Sequence, residues 1–112
     1  MVFNNMKTTV KKDTNLKEKV IEEIVFFLES SLYMLSSLVI NENQIRFFKD
    51  TNTNMYKYDI VNMTENFYSI TIQEVIVDKT KEKRIQYKPI LVEGLIPLNR
   101  LEKTFQKYYL KF

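Results

Sequence analysis

Histidine and cysteine are absent from this 112-residue chain, and glycine occurs once, at Gly94. Each absence closes a class of chemistry. Without His or Cys there is no imidazole titrating near neutral pH, no thiolate nucleophile, and none of the usual zinc or haem ligands. One glycine does not build a phosphate-cradling loop of nested backbone amides. The lack of cysteine leaves the compartment open, because a reduced cytosol or nucleus and a disulfide-free secreted protein are both compatible with it. No cleavable signal, internal repeat or low-complexity stretch is evident.

Long hydrophobic runs are also missing. The nearest approach is Ile24 to Ile40, which Glu29 and four serines interrupt. A membrane-spanning helix needs about 20 predominantly apolar residues. A carboxylate at its centre would cost on the order of 3 kcal/mol. The stretch therefore reads as a buried amphipathic helix, and no membrane association is expected.

What the chain does contain is 8 Phe and 7 Tyr, with 45% hydrophobic and 28% charged residues. This is the composition of a globular domain, not of a disordered one. A chain of this length buries roughly two-thirds of its unfolded surface, enough for a core without disulfides or metal. The expected organisation is a flexible basic arm over residues 1–14, carrying Lys7, Lys11 and Lys12, followed by a single domain over 15–112. The net charge of +3 is unevenly spread, with basic ends around an acidic middle. Such asymmetry can orient partners or touch nucleic acid.

Asn15 and Glu18 have capping-box spacing, which predicts a helix from Leu16. Its apolar positions continue at helical spacing to about Val39 and fill about half the circumference, so this long helix should be covered on two sides. Phe26 and Tyr33 fall outside that arc, on the face of Glu22 and Glu29. The polar cluster Asn41, Glu42 and Asn43 then marks a change of period to two. Strands are expected over Gln44–Lys49, Met55–Val61, Phe67–Val77 and Arg84–Glu93. The first two are joined by a loop of turn-forming residues, Asp50 to Asn54.

In the third strand, alternation sets Tyr68, Ile70, Ile72 and Ile76 against Ser69, Thr71 and Gln73, as in a half-buried antiparallel strand, with Glu74 breaking the pattern once. Pro89 suits an edge strand, since proline cannot donate to a ladder, and Gly94 is expected to end the sheet. Asn99 and Glu102 repeat the capping-box spacing. Leu98, Leu101, Phe105, Tyr108 and Phe112 form the seam of an amphipathic closing helix. The predicted fold is α+β: a long N-terminal helix, a four-stranded antiparallel meander, and a C-terminal helix packed on the sheet.

No set of converging carboxylates, serines or lysines suggests a catalytic mechanism. Glu22, Glu23 and Glu29 read as a solvated acidic face, not the dense oxygen loop of a calcium site. No enzyme activity, metal or cofactor is expected. On the closing helix, Arg100, Lys103, Lys107 and Lys111 share the face opposite the seam and are the candidates for nucleic-acid contact. Phe26, Tyr33, Phe48 and Tyr109 are the candidates for partner binding, because interface hot spots favour large aromatics that exclude water.

The order of elements resembles the RWD fold, with the globular domains of kinetochore proteins as the nearest branch, of the monopolin-subunit or kinetochore-linker type. The resemblance is carried over about residues 24 to 112. Ser37, Leu38, Val39 and Ile40, followed by Ile45, Arg46, Phe47 and Phe48, look like that family's apolar stretch and its alternating basic and aromatic strand. Tyr87, Lys88 and Pro89 resemble its late tyrosine and proline segment. Leu98, Asn99, Arg100, Leu101 and Phe105 to Phe112 resemble its asparagine-led closing helix.

This resemblance implies a non-enzymatic protein–protein interaction domain, a chromosome-segregation scaffold that docks a peptide or subunit as a homodimer or heterodimer. It also implies an intracellular, nuclear location. The family has no catalytic or ligand motif to carry over. The alternative is a small regulatory or mobile-element protein that binds nucleic acid through the basic arm and closing helix, located in the cytoplasm. A second alternative is a secretion chaperone or inhibitor built on a similar α+β sandwich.

Overall fold

The computed structural model describes residues 12–80 and 84–112, with side chains from Leu16 onward. Most of the expected basic arm, residues 1–11, lies outside the described residues, whereas 12–14 are helical. The described chain runs α1 (Lys12–Glu29), β1 (Met34–Asn41), β2 (Gln44–Asp50), β3 (Met55–Thr64), β4 (Phe67–Asp78), β5 (Arg84–Pro97) and α2 (Leu98–Lys111). The strands form one antiparallel sheet in the order β1-β2-β3-β4-β5. The fold is α+β as expected, with one strand more and a shorter first helix.

The extra strand comes out of the helix predicted to run from Leu16 to about Val39. That helix stops at Glu29, where the ladder tightens as Ser31 N donates to the Leu28 carbonyl at 3.0 Å and two serine hydroxyls bond the local backbone. Ser30 Oγ donates to the Phe26 carbonyl at 3.1 Å, and Tyr33 N donates to Ser31 Oγ at 3.1 Å. Such local bonds compete with the helical ladder. The apolar run beyond them then pairs with β2. Asn41 Oδ1 accepts from the amides of Asn43 and Gln44, both at 2.9 Å, and so closes the β1–β2 hairpin. The polar cluster thus joins two strands, where a helix-to-strand break was expected. The apolar stretch from Ile24 to Ile40 is divided between α1 and β1. No described helix is long and apolar enough to cross a membrane.

Both predicted capping boxes are corrected. Asn15 lies inside α1. Pro97 takes the N-cap place of α2 with φ −68 and ψ 149 and without a side-chain cap. A cap is dispensable there because Leu98 N donates to the Asn66 carbonyl at 2.8 Å, satisfying a donor that a helix start otherwise leaves free. Gly94 does not end the sheet, for β5 continues to Pro97. Pro89 does lie on an edge strand.

Alternation along the strands produces two unlike faces. On the covered face, Ile45, Phe47, Tyr58, Ile60, Tyr68, Ile70 and Ile72 are fully buried. They form one core with Ile21, Ile24 and Leu28 of α1 and Leu98, Leu101, Phe105 and Tyr109 of α2. Phe47 and Tyr58 stack at 4.9 Å between ring centroids, and Phe105 meets both rings edge-on. The open face alternates with it and carries Arg46, Phe48, Lys57, Asp59, Thr71 and Gln73 in cross-strand rows, none fully buried.

The two helices run parallel. Leu16 shares a cleft with Leu98 and Asn99 at one end. Phe27 meets the rings of Phe105 and Tyr109 at the other, at 6.0 and 5.3 Å. The β4–β5 hairpin continues past the last β3 pair, Met55 with Val75, through Ile76–Gln86, Val77–Ile85 and Asp78–Arg84.

Candidate functional site

Where α1 turns into β1, the chain crosses the C-terminal end of α2 and leaves a cleft of about 550 Å³, lined by Phe27, Ser30, Ser31, Leu32, Tyr33, Asn52, Tyr109 and Leu110. Its rim is unusually apolar. Leu32 is 100% exposed and Leu110 74%. Single exposed leucines are ordinary, but two facing one cleft with Tyr33 beside them make a contiguous apolar surface. Ser31 Oγ and the Tyr109 hydroxyl hydrogen-bond across the floor and tie the turn to α2.

Beneath the floor lies Lys49, the only charged side chain in the core of the described residues, at 1% exposure. Strand alternation puts it there, since it follows Ile45 and Phe47 on the covered face. Its Nζ donates to the main-chain oxygens of Tyr109 at 2.5 Å and Phe112 at 2.6 Å. It also lies 4.0 Å from the Tyr109 ring centroid and 4.3 Å from that of Tyr33. The ammonium thus meets the negative end of the α2 dipole and two ring faces. The Tyr58 hydroxyl adds a bond to Phe112 O at 3.3 Å.

Burial lowers the Lys49 pKa from its usual 10.5 to about 8. Burial also raises the Tyr58 phenol, and the neighbouring Tyr109, Tyr56 and Tyr33 push it further the same way. Tyr109 is raised by burial against the opposing hydrogen bond from Ser31. At neutral pH the arrangement is a charged amine among neutral phenols. It anchors the floor of the cleft.

The four aromatic candidates do not form one patch. Phe26 is 68% exposed on the outer face of α1, in a shallow depression with Glu22, Glu23, Val25 and Glu29. Tyr33 lies beyond the helix end, so it does not share a helix face with Phe26. Phe48 is half-buried on the open face of the sheet. Tyr109, expected at the surface, is 2% exposed and belongs to the core, while Tyr108, expected in the seam, is only half-buried. Tyr108 instead hydrogen-bonds Glu93 at the edge of the helix layer.

The structure does bring Tyr33 and Tyr109 together, at 6.3 Å between ring centroids around Lys49. Sequence reasoning missed Lys49, Leu32 and Leu110. Only the alternation of β2 pointed to an inward Lys49.

Arg100, Lys103, Lys107 and Lys111 are all exposed on the outer face of α2, and three of them line a groove with Thr104. No group of three or more acidic side chains that could hold a metal ion occurs among the described residues. Compared with protein-family models, curated proteins and solved structures, the chain matches none.

Proposed function

We propose that this protein is a non-enzymatic protein-interaction domain whose α1–β1 cleft receives an apolar anchor of a partner polypeptide. The observation that carries this reading is the meeting of Leu32, Tyr33 and Leu110, all exposed, around a cleft floored by Phe27 and Tyr109. An apolar recess with a few fixed polar groups is the usual form of a site for a side-chain anchor. The Ser31–Tyr109 bond and Lys49 hold its floor in place, so little ordering is needed on binding.

The kinetochore-type scaffold implied by the resemblance over residues 24 to 112 is the setting proposed for it. Peptide display against the folded protein tests the cleft. Selected peptides should share an aromatic or aliphatic anchor, and Leu32→Asp with Tyr33→Ala should weaken them at least tenfold, about 1.4 kcal/mol, with an unchanged circular dichroism spectrum. Selection of nothing, or peptides indifferent to both substitutions, would sink the reading.

A further inference from the structure

We infer that the outer faces of α1 and α2 form a self-complementary surface that docks a second copy of this chain across a two-fold axis lying parallel to the helices and between them. This goes beyond the cleft and does not depend on it. The outer face of α1 carries Glu18, Glu22, Glu23 and Glu29 around the exposed ring of Phe26, with Lys19 as its one outward cation among the described side chains. The outer face of α2 carries Arg100, Lys103, Lys107 and Lys111. Among the described residues no carboxylate pairs with those four cations. One helix layer therefore presents an exposed acidic row beside an exposed basic row.

Symmetry turns that adjacency into a match. Rotation about an axis along the helices lays α1 of one copy on α2 of the other, and the reverse, so every contact occurs twice. A two-fold rotation allows no slide along its own axis. The register across the interface is therefore the register within one chain. Leu16 is level with Leu98, and Phe27 lies between Phe105 and Tyr109. To within about half a turn, Glu18 is then level with Arg100, Glu22 with the space between Lys103 and Lys107, and Glu29 with Lys111.

Phe26 falls level with Lys107, whose methylene stem can receive its ring. Successive cations on α2 stand about 4.5–6 Å apart along the axis, and Glu18 and Glu22 about 6 Å, with Glu29 a further two turns on. A solvated pair of this kind is worth little singly. The match gains weight from its repetition by symmetry, from the aromatic ring at its centre, and from the repulsion that any other pairing of these faces would bring.

The basic row alone would also suit a nucleic-acid backbone, but a polyanion leaves the acidic row and Phe26 without a role. Light scattering on the 112-residue chain decides. In low salt the wild type should show twice the 13.5 kDa mass of one chain and dissociate as salt is raised. Glu22→Lys with Glu29→Lys, and separately Lys103→Glu with Lys107→Glu, should each raise the dimer dissociation constant at least tenfold. An equimolar mixture of the two variants should restore a dimer of near wild-type affinity, which also shows that both are folded.

A monomeric wild type, variants that dimerise normally, or a mixture that stays monomeric would overturn the inference. So would a monomer that binds a short DNA or RNA duplex through Lys103 and Lys107. Peptide capture at Leu32 and Tyr33 should be untouched by all four substitutions, so failure here and failure of the cleft are separate results.

Discussion

The two faces of the sheet are built from the same strands, one residue out of step, and they carry opposite physical loads. The covered face holds nine-tenths or more of each core side chain away from water and admits one charge, Lys49, whose hydrogen bonds go to the end of α2. The open face keeps Arg46, Lys57 and Asp59 in its middle rows and fully buries none of its side chains. Stability should therefore be concentrated on one face and tolerance to change on the other.

The strongest way to break this comparison is Phe105→Ala. Phe105 is fully buried and meets the rings of Phe27, Phe47, Tyr58 and Tyr109, so truncation should cost about 3–5 kcal/mol in denaturant unfolding. A loss below about 1 kcal/mol would mean that the covered face is not the core.

Lys49→Met comes next. It keeps the packing volume but takes the ammonium donor from the Tyr109 oxygen and leaves Phe112 O with the Tyr58 hydroxyl alone, an expected loss of about 1–3 kcal/mol. It should also change the pH profile. The folded pKa of about 8 lies below the usual 10.5, so between these values the unfolded chain holds the proton more tightly and wild-type stability should rise with pH. Above about pH 10 it should fall, because Tyr58 and Tyr109 are raised in the fold and ionise first when unfolded. The variant should lack the rise and keep the fall. A wild-type profile that is flat from pH 8 to 10 would remove Lys49 from the account.

The smallest effect belongs to Phe48→Ala on the open face, expected below about 1 kcal/mol. A cost approaching that of Phe105→Ala would sharpen the comparison differently, by showing that something covers the open face in solution.

Strands β2, β3 and β4 were legible because alternation of Ile, Phe and Tyr with polar residues, broken only locally as at Phe48 and Glu74, fits a period of two. The first helix and β1 were not. Leu32 to Ile40 is a short apolar run that fits either period, and pairing with β2 settles it as a strand. Tyr109 was misplaced because, after Leu98, Leu101 and Phe105, steps of three and four residues both stay near the seam, and the position of the sheet selects the fourth.

Lys49 illustrates a different limit. Its inward place followed from β2, but the acceptors that make burial of an amine tolerable lie in α2, far along the chain. The cleft has the same origin. Leu32 and Leu110 become neighbours only when α1 and α2 lie in step, which no local pattern encodes.

Both outermost strands are irregular. Between Ser36 and Val39, β1 carries one residue more than β2, and Ser37 has a φ of 52. On β5 an extra residue falls at Gly94 and Leu95, where Leu95 has a φ of 54, and another at Ile90 beside Pro89. Left-handed backbone and a missing amide interrupt the straight row of donors and acceptors that a further strand would need. The sheet is thus capped at both margins by its own backbone shape. In a protein with many exposed aliphatic side chains, these interruptions disfavour edge-to-edge growth at the bulged stretches and leave assembly to the side chains.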